Sequence, residues 1–189
     1  MNKLSIALFV FVATGCSHQI HVHTDSDPTF EAGNYHSFDW DQKTNIEAGK
    51  NPIYYNELND KRIKSSVAVE LARRGYTLSD TNPELFIHYH IIVEDQSVLI
   101  EEPYAENYSS SRIRPRTNVY LYREGTLILD MMDAKTNELV WRGWATSSLD
   151  QFYTPQEKDD LIKTAVEKIF RKYPSPIVTS LNSDLSHNQ

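Results

Sequence analysis

The sequence predicts an α+β fold, a two-layer sandwich in which two amphipathic helices cover one face of a mainly antiparallel sheet. Three observations predict it. Segments with alternating apolar residues recur between turn signals from residue 85 to residue 146. Two further segments, near residues 56–74 and 154–173, place apolar residues at helical spacing and polar residues elsewhere. The order is strand, helix, strand, a meander of further strands, helix, without an internal repeat, and helices arranged in this way can pack on one side of the sheet.

The first residues read as an export signal and not as part of this fold. Met1-Asn2-Lys3 carries one positive charge, residues 4–12 are apolar except for Ser5, and Ala13-Thr14-Gly15 are small. A charged start, an apolar run of about 7–15 residues and a small-residue cleavage site form a secretory signal. The run is shorter than the roughly 20 residues a membrane-spanning helix needs. Cys16 follows at once and is the only cysteine among 189 residues, so no intramolecular disulfide can form. An ordinary cysteine after an ordinary signal is one reading. However, Ala13-Thr14-Gly15-Cys16 resembles the lipobox of bacterial lipoproteins, with Ala13 where leucine is usual. The resemblance implies that the signal is cut before Cys16 and that its sulfur carries a lipid, with palmitate-type acyl chains anchoring the protein. More than one chain gives stable attachment, at about 0.8 kcal/mol per buried methylene. Ser17 stands where an aspartate would imply inner-membrane retention, so the resemblance implies the periplasmic face of the outer membrane.

Residues 1–15 are thus expected to form a signal peptide, residues 16–28 a lipidated cysteine and polar tether, residues 29–174 one α+β domain, and residues 175–189 a disordered tail. The formal charge is -7. An acidic chain is a poor ligand for nucleic acid, which is held by Lys and Arg on phosphates. The same sign disfavours docking on anionic lipid, which leaves the lipid on Cys16 to hold the membrane.

Within the domain, Phe38 and Trp40 share one face of a first strand over residues 35–40. Residues 41–53 read as a loop. Asn56 is placed to cap a helix on which Ile63, Val67 and Leu71 sit four apart, and Gly75 is placed to end it. Residues 85–93 carry apolar groups on both faces, as a central strand does. Residues 95–116, with Glu101-Glu102-Pro103, three consecutive serines and Arg112, Arg114 and Arg116, read as a long mobile excursion, in part a hairpin. Strands over residues 117–122, 126–133 and 139–146 follow, with turns expected at Glu124-Gly125 and at residues 134–137. Thr154-Pro155-Gln156-Glu157 is a capping box with proline at the first helical position, and Pro174 ends that helix.

Several of these elements together resemble the domain of unknown function 4136 family of bacterial lipoproteins. They are Ser37-Phe38-Asp39-Trp40, Arg74-Gly75-Tyr76, Pro83-Glu84-Leu85, the run from Gly125 to Asp130 with Asp133 and Thr136, Leu139-Val140-Trp141-Arg142-Gly143, and Tyr173-Pro174. Glu84 stands where the family usually has aspartate. The resemblance spans about residues 29–174 and implies an α+β lipoprotein domain without implying any activity.

No cofactor is expected. His88 and His90 lie two apart on one strand face and could offer two imidazoles to a metal, with His36 as a possible third, or could simply sit on a partly solvated sheet face. His18, His21 and His23 form a second cluster in the expected tether. Asp130, Asp133 and Glu101-Glu102 have turn and solubility explanations, and Ser109-Ser110-Ser111 lack the Gly-x-Ser-x-Gly context of a hydrolase. With no nucleophile–base set, an enzyme is not expected. Arg142 and Trp144 share a face opposite to Trp141. They are the expected anchors for a protein partner in the envelope, unless they only cover the sheet through a cation–π contact.

Overall fold

In the computed structural model, residues 19–41, 51–105, 113–150 and 152–174 are described, and for residues 101–105 and 113–116 only the backbone. Along the chain come β1 (His21–Ser26), a 3₁₀ turn (Ala32–Asn34), β2 (Ser37–Trp40), α1 (Glu57–Ala72), β3 (Thr77–Leu78), β4 (Leu85–Ala105), β5 (Ile113–Asp133), β6 (Leu139–Leu149) and α2 (Pro155–Phe170). The strands form one open sheet in the order β1-β6-β5-β4-β2-β3. β4, β5 and β6 are the expected antiparallel meander, and β1 adds antiparallel to β6. β2 runs parallel to both β3 and β4, so the sheet is mixed.

Both helices form where their end signals stand. The Asn56 side chain accepts the Asn59 N–H at 3.0 Å, which satisfies one of the free amides of α1. After α1, Gly75 takes φ 86°. The Tyr76 N–H then reaches the Leu71 carbonyl and the Gly75 N–H the Ala72 carbonyl, the two bonds of a Schellman ending. At α2, Thr154 Oγ1 accepts the Glu157 N–H, and the Glu157 carboxylate accepts the Thr154 N–H at 2.7 Å.

One face of the sheet meets both helices. Ile63, Val67 and Leu71 of α1 and Val166, Ile169 and Phe170 of α2 are buried with Phe38, Leu85, Ile87, Leu129, Met131 and Trp141 of the sheet. The alternation along β6 places Trp141, Gly143 and Ala145 on this side. A Cβ at Gly143 would collide with the Trp141 ring and with Ile169, so the glycine lets the indole lie flat under α2. The ends of the helices are joined by a buried ion pair. Arg74 Nη1 donates to Glu70 Oε2 at 2.6 Å, and Arg74 Nη2 donates to the Phe170 carbonyl at 2.7 Å. Beside it, the Tyr76 hydroxyl bonds both the Ala32 carbonyl and the Tyr173 hydroxyl, each at 2.7 Å.

The turn from β5 to β6 is organised by Asp133, as its sequence context implied. Its Oδ1 accepts the Lys135 and Thr136 N–H groups, its Oδ2 accepts the Tyr35 hydroxyl, and Asn137 takes φ 59°. These donors, led by the Thr136 amide, hold the carboxyl below the usual aspartate range. A folded-state value below the unfolded one of about 3.9 adds stability above that pH, lost as pH falls through the folded value. Asp133→Ala should therefore cost about 1 kcal/mol at pH 7, since water competes for this part-exposed turn. In urea titrations the difference from the parent should shrink below about pH 4; a difference that does not change with acid would remove the carboxylate from this role.

Three sequence expectations are corrected. Residues 21–26, placed in the tether, form β1, with His21↔Thr146 and Asp25↔Arg142 in register with β6. Val22 packs against the core while His21, His23 and Asp25 are exposed, an alternation hidden by the polarity of the segment. Residues 95–116, expected as a mobile excursion and in part a hairpin, are paired strands wherever they are described. Over their described part, 95–105 and 113–116, they extend β4 and β5 into a continuous ladder from Leu85↔Asp133 to Ala105↔Ile113. Glu124-Gly125 accordingly makes no turn. Glu124 pairs with Glu94 and Ser148 in mid-strand, and Gly125 leaves room for the Leu149 side chain. The signal segment with Cys16, His18, Ser109-Ser110-Ser111 and the tail from residue 175 lie outside the described residues.

Candidate functional site: the open sheet face and its arm

The face of the sheet turned away from the helices is built from the other half of each alternation. Its side chains form cross-strand rows set by the register. One row runs Asp25, Arg142, Asp130, His88, and the next runs His23, Trp144, Ile128, His90. In the first row, Arg142 grips Asp130 with two parallel bonds, Nε to Oδ1 and Nη2 to Oδ2, both 2.6 Å. Such a two-pronged pair is the strongest form of this interaction. It pushes the guanidinium pKa further up, and Asp25 adds to the effect. Asp130 is buried although the surface around it is open. His88 Nε2 lies 3.1 Å from Asp41 Oδ2, and His90 Nε2 lies 3.8 Å from Asp130 Oδ2. Asp25, Arg142 and Asp130 therefore alternate in sign along their row, and the two imidazoles stand next to carboxylates.

The residues singled out by sequence are thus distributed as follows. Arg142 and Trp144 share the open face, as the alternation required. Arg142 is engaged by Asp130, and Trp144 stacks on His23 with ring centroids 5.5 Å apart. His88 and His90 also share this face but lean on different carboxylates. His36 stands elsewhere, beside Glu84 at 3.9 Å. Among the described residues, no three His, Cys, Asp or Glu side chains are grouped closely enough to hold a metal ion. On the helix side, an apolar cavity of about 100 Å³ lies between Ile63, Ile91, Leu127, Leu149 and Leu161. Small-molecule sites begin near 300 Å³.

The larger feature was not singled out from sequence. β6 follows β5 only as far as Arg123↔Leu149, and β2 follows β4 only as far as Trp40↔Ile87. Beyond the body, residues 96–105 and 113–122 continue as a two-stranded arm. Its described apolar side chains point to both faces. Leu99, Val119 and Leu121 lie on one, with Leu121 81% exposed, and Val98, Ile100, Tyr120 and Tyr122 lie on the other, all exposed. The second group continues the alternation of the open face, so body and arm share one uninterrupted surface. A signal existed in the sequence: Val98-Leu99-Ile100 and Val119-Tyr120-Leu121-Tyr122 are runs of strand formers without a charge.

The profile of the family described as "Domain of unknown function (DUF4136)" matches residues 22–175. The chain belongs to that family. The matched residues include β1, in keeping with its place in the sheet. No curated protein matches this DUF4136 chain. Among solved structures it is similar to a PDZ domain protein from Parabacteroides distasonis, with a TM-score of 0.54 and 16% identity over 85% of this chain and 37% of that one. The DUF4136 chain thus spans little more than a third of that protein, and the likeness is one of fold. It also matches a PelC dodecamer from Paraburkholderia phytofirmans, with a TM-score of 0.43 and 12% identity over 80% of this chain and 95% of that one.

Proposed function

We infer that this chain is a lipid-anchored envelope protein that faces the periplasm and acts by binding another envelope protein, not by catalysis. The observation that carries the binding half is the arm. Large apolar side chains standing in water on both faces of a ribbon mark a contact surface, because contiguous exposed apolar patches are rare on proteins that act alone. The open face extends that surface toward Trp144 and Arg142. Tryptophan and arginine supply much of the energy at protein contacts. The Arg142–Asp130 pair holds the guanidinium in one position, so little ordering cost remains on binding. The anchoring half is supported by the apolar run that ends in Ala13-Thr14-Gly15-Cys16. Among the described residues no helix is long and apolar enough to cross a membrane.

The anchor is tested by Cys16→Ser. Cells fed an alkyne-labelled palmitate should label the parent chain and not the variant. The variant should keep its signal or leave the membrane fraction. A variant that is processed and retained normally would remove the lipid from the function.

A further inference from the structure

We propose that the apolar cavity between the helices and the sheet seats one of the acyl chains carried by Cys16, so that the lipid anchor folds back into the domain it tethers. This rests on the anchoring half of the proposed function and adds a binding site to it.

The leash between lipid and cavity is short. Residues 16–28 read as a tether, but β1 begins at His21, and Ile20 already lines the cavity. Cys16 stands four residues before Ile20. Such a stretch spans at most about 14 Å. An acyl chain adds about 15 Å, half the thickness of a bilayer's hydrocarbon core. Among the described residues the cavity opens to solvent on one side, and Ile20 and Ile53 of its lining stand partly in water. A chain on Cys16 can therefore reach the opening and pass through it.

The lining selects an apolar guest. Ile63, Ile91, Leu127, Leu149, Leu161 and Ile162 make it almost wholly apolar. Polar side chains that border it have partners of their own. The Asn59 amide donates to the Tyr54 carbonyl at 2.9 Å, the Thr126 hydroxyl is bonded to that of Thr146 at 2.9 Å, and the Ser147 hydroxyl donates to the Ser148 carbonyl at 3.3 Å. A buried water needs two to four polar partners, and apolar cavities stay dry and take apolar molecules. Left empty, such a space costs the domain stability.

The size selects a tethered guest over a free one. About 100 Å³ holds roughly seven to ten water-sized groups, or about half of a palmitoyl chain. That is too little for an untethered ligand of ordinary size. A chain on a short leash is supplied at an effective concentration in the millimolar range, so modest burial is enough. A lipobox cysteine carries a diacylglycerol on its sulfur and a further chain on its amine. One chain can therefore leave the bilayer while the others keep the attachment stable. Asn59 of α1 and Lys158 and Leu161 of α2, all in the lining, lie near the N-terminal ends of their helices. A seated chain thus holds the domain with those helix ends turned toward the membrane.

The test uses the full chain in living cells. Cells are fed a palmitate that carries both an alkyne and a diazirine, then irradiated, and the protein is digested and read by mass spectrometry. A peptide beginning at Cys16 should be joined through its acyl chain to one holding Ile63 or Leu161. Ala165→Leu narrows the cavity from α2 and should cut that product about tenfold, as expected when about two methylenes lose their burial. Ala145→Val narrows it from β6 and should act in the same direction, and the product in the parent depends on neither variant. A labelled Cys16 whose chain joins only membrane lipid, or residues outside the cavity, overturns the proposal and leaves the anchor standing. A product that neither variant reduces overturns it as well. A whole phospholipid joined to Ile63 or Leu161 gives the cavity to a lipid of the bilayer instead. A Cys16 that takes up no label removes the anchor and the proposal together.

Discussion

Phe170→Ala is expected to destabilise the domain by about 3–5 kcal/mol, the range for truncating a buried aromatic ring. Phe170 is completely buried near the end of α2. Its ring lies 5.7 Å from Tyr173 and 6.2 Å from Trp141, centroid to centroid, and the Arg74 guanidinium stands 5.1 Å from its centre. Truncation therefore leaves a cavity at the place where α1, α2 and β6 meet. In a protein of this size each kcal/mol moves the melting temperature by about 2–4 °C, so a fall of the order of 10 °C should be seen by circular dichroism. An unchanged melting temperature would show that α2 does not dock on the sheet as described.

The second large effect is expected from Arg74. It is buried, and so is its partner Glu70. Removing one member of a buried ion pair leaves an uncompensated charge, at a cost of about 3–5 kcal/mol. Arg74→Ala should fall near the lower end, because Arg73 Nη1 still donates to Glu70 Oε1 at 2.8 Å. The Phe170 carbonyl also loses one of its two donors and keeps only the Tyr173 N–H, so the direct link between the two helix ends goes with the ion pair. The pair can be separated from simple packing by a second variant. Glu70→Leu combined with Arg74→Met removes both charges and keeps most of the volume, and it should recover most of the loss, since well-packed apolar replacements of buried pairs are often neutral. Urea titration of the three proteins measures this. A double variant as unstable as Arg74→Ala would mean that the ion pair is not what matters at this site. Arg74→Ala and Phe170→Ala share a contact, so their effects should not add.

Both helices were legible because each signal is local. A capping box needs four consecutive residues, and the Arg74-Gly75-Tyr76 ending needs three. The core faces of β4 and β6 were legible for a similar reason, since period-2 alternation survives in a single strand. Strand β1 was not legible. In His21-Val22-His23-Thr24-Asp25-Ser26 only one residue is strongly apolar, and the segment becomes a strand because β6 offers it an edge. The arm was legible only in part, residues 117–122 as a strand, and its full length was hidden by composition. Pro103 and the three consecutive serines read as loop, yet Pro103 stands in the ladder opposite Pro115. On the open face, sequence placed Arg142 and Trp144 on the right side of β6 but could not supply their neighbours. Asp130 was assigned to the flank of a turn, and His23 to the tether. Their pairing with Arg142 and Trp144 depends on cross-strand register, which no single segment encodes.

The most direct test of the binding function is crosslinking in living cells from defined positions of the full chain. A photoreactive phenylalanine analogue replaces Leu121 on the arm, Trp144 on the open face, or Lys61 on the exposed side of α1. A protein that acts through the arm and the continuous open face should give discrete, light-dependent adducts from position 121, weaker ones from position 144, and none from position 61. Equal capture from all three positions, or adducts from the helix alone, would contradict that function and place the contact surface on the other side of the domain.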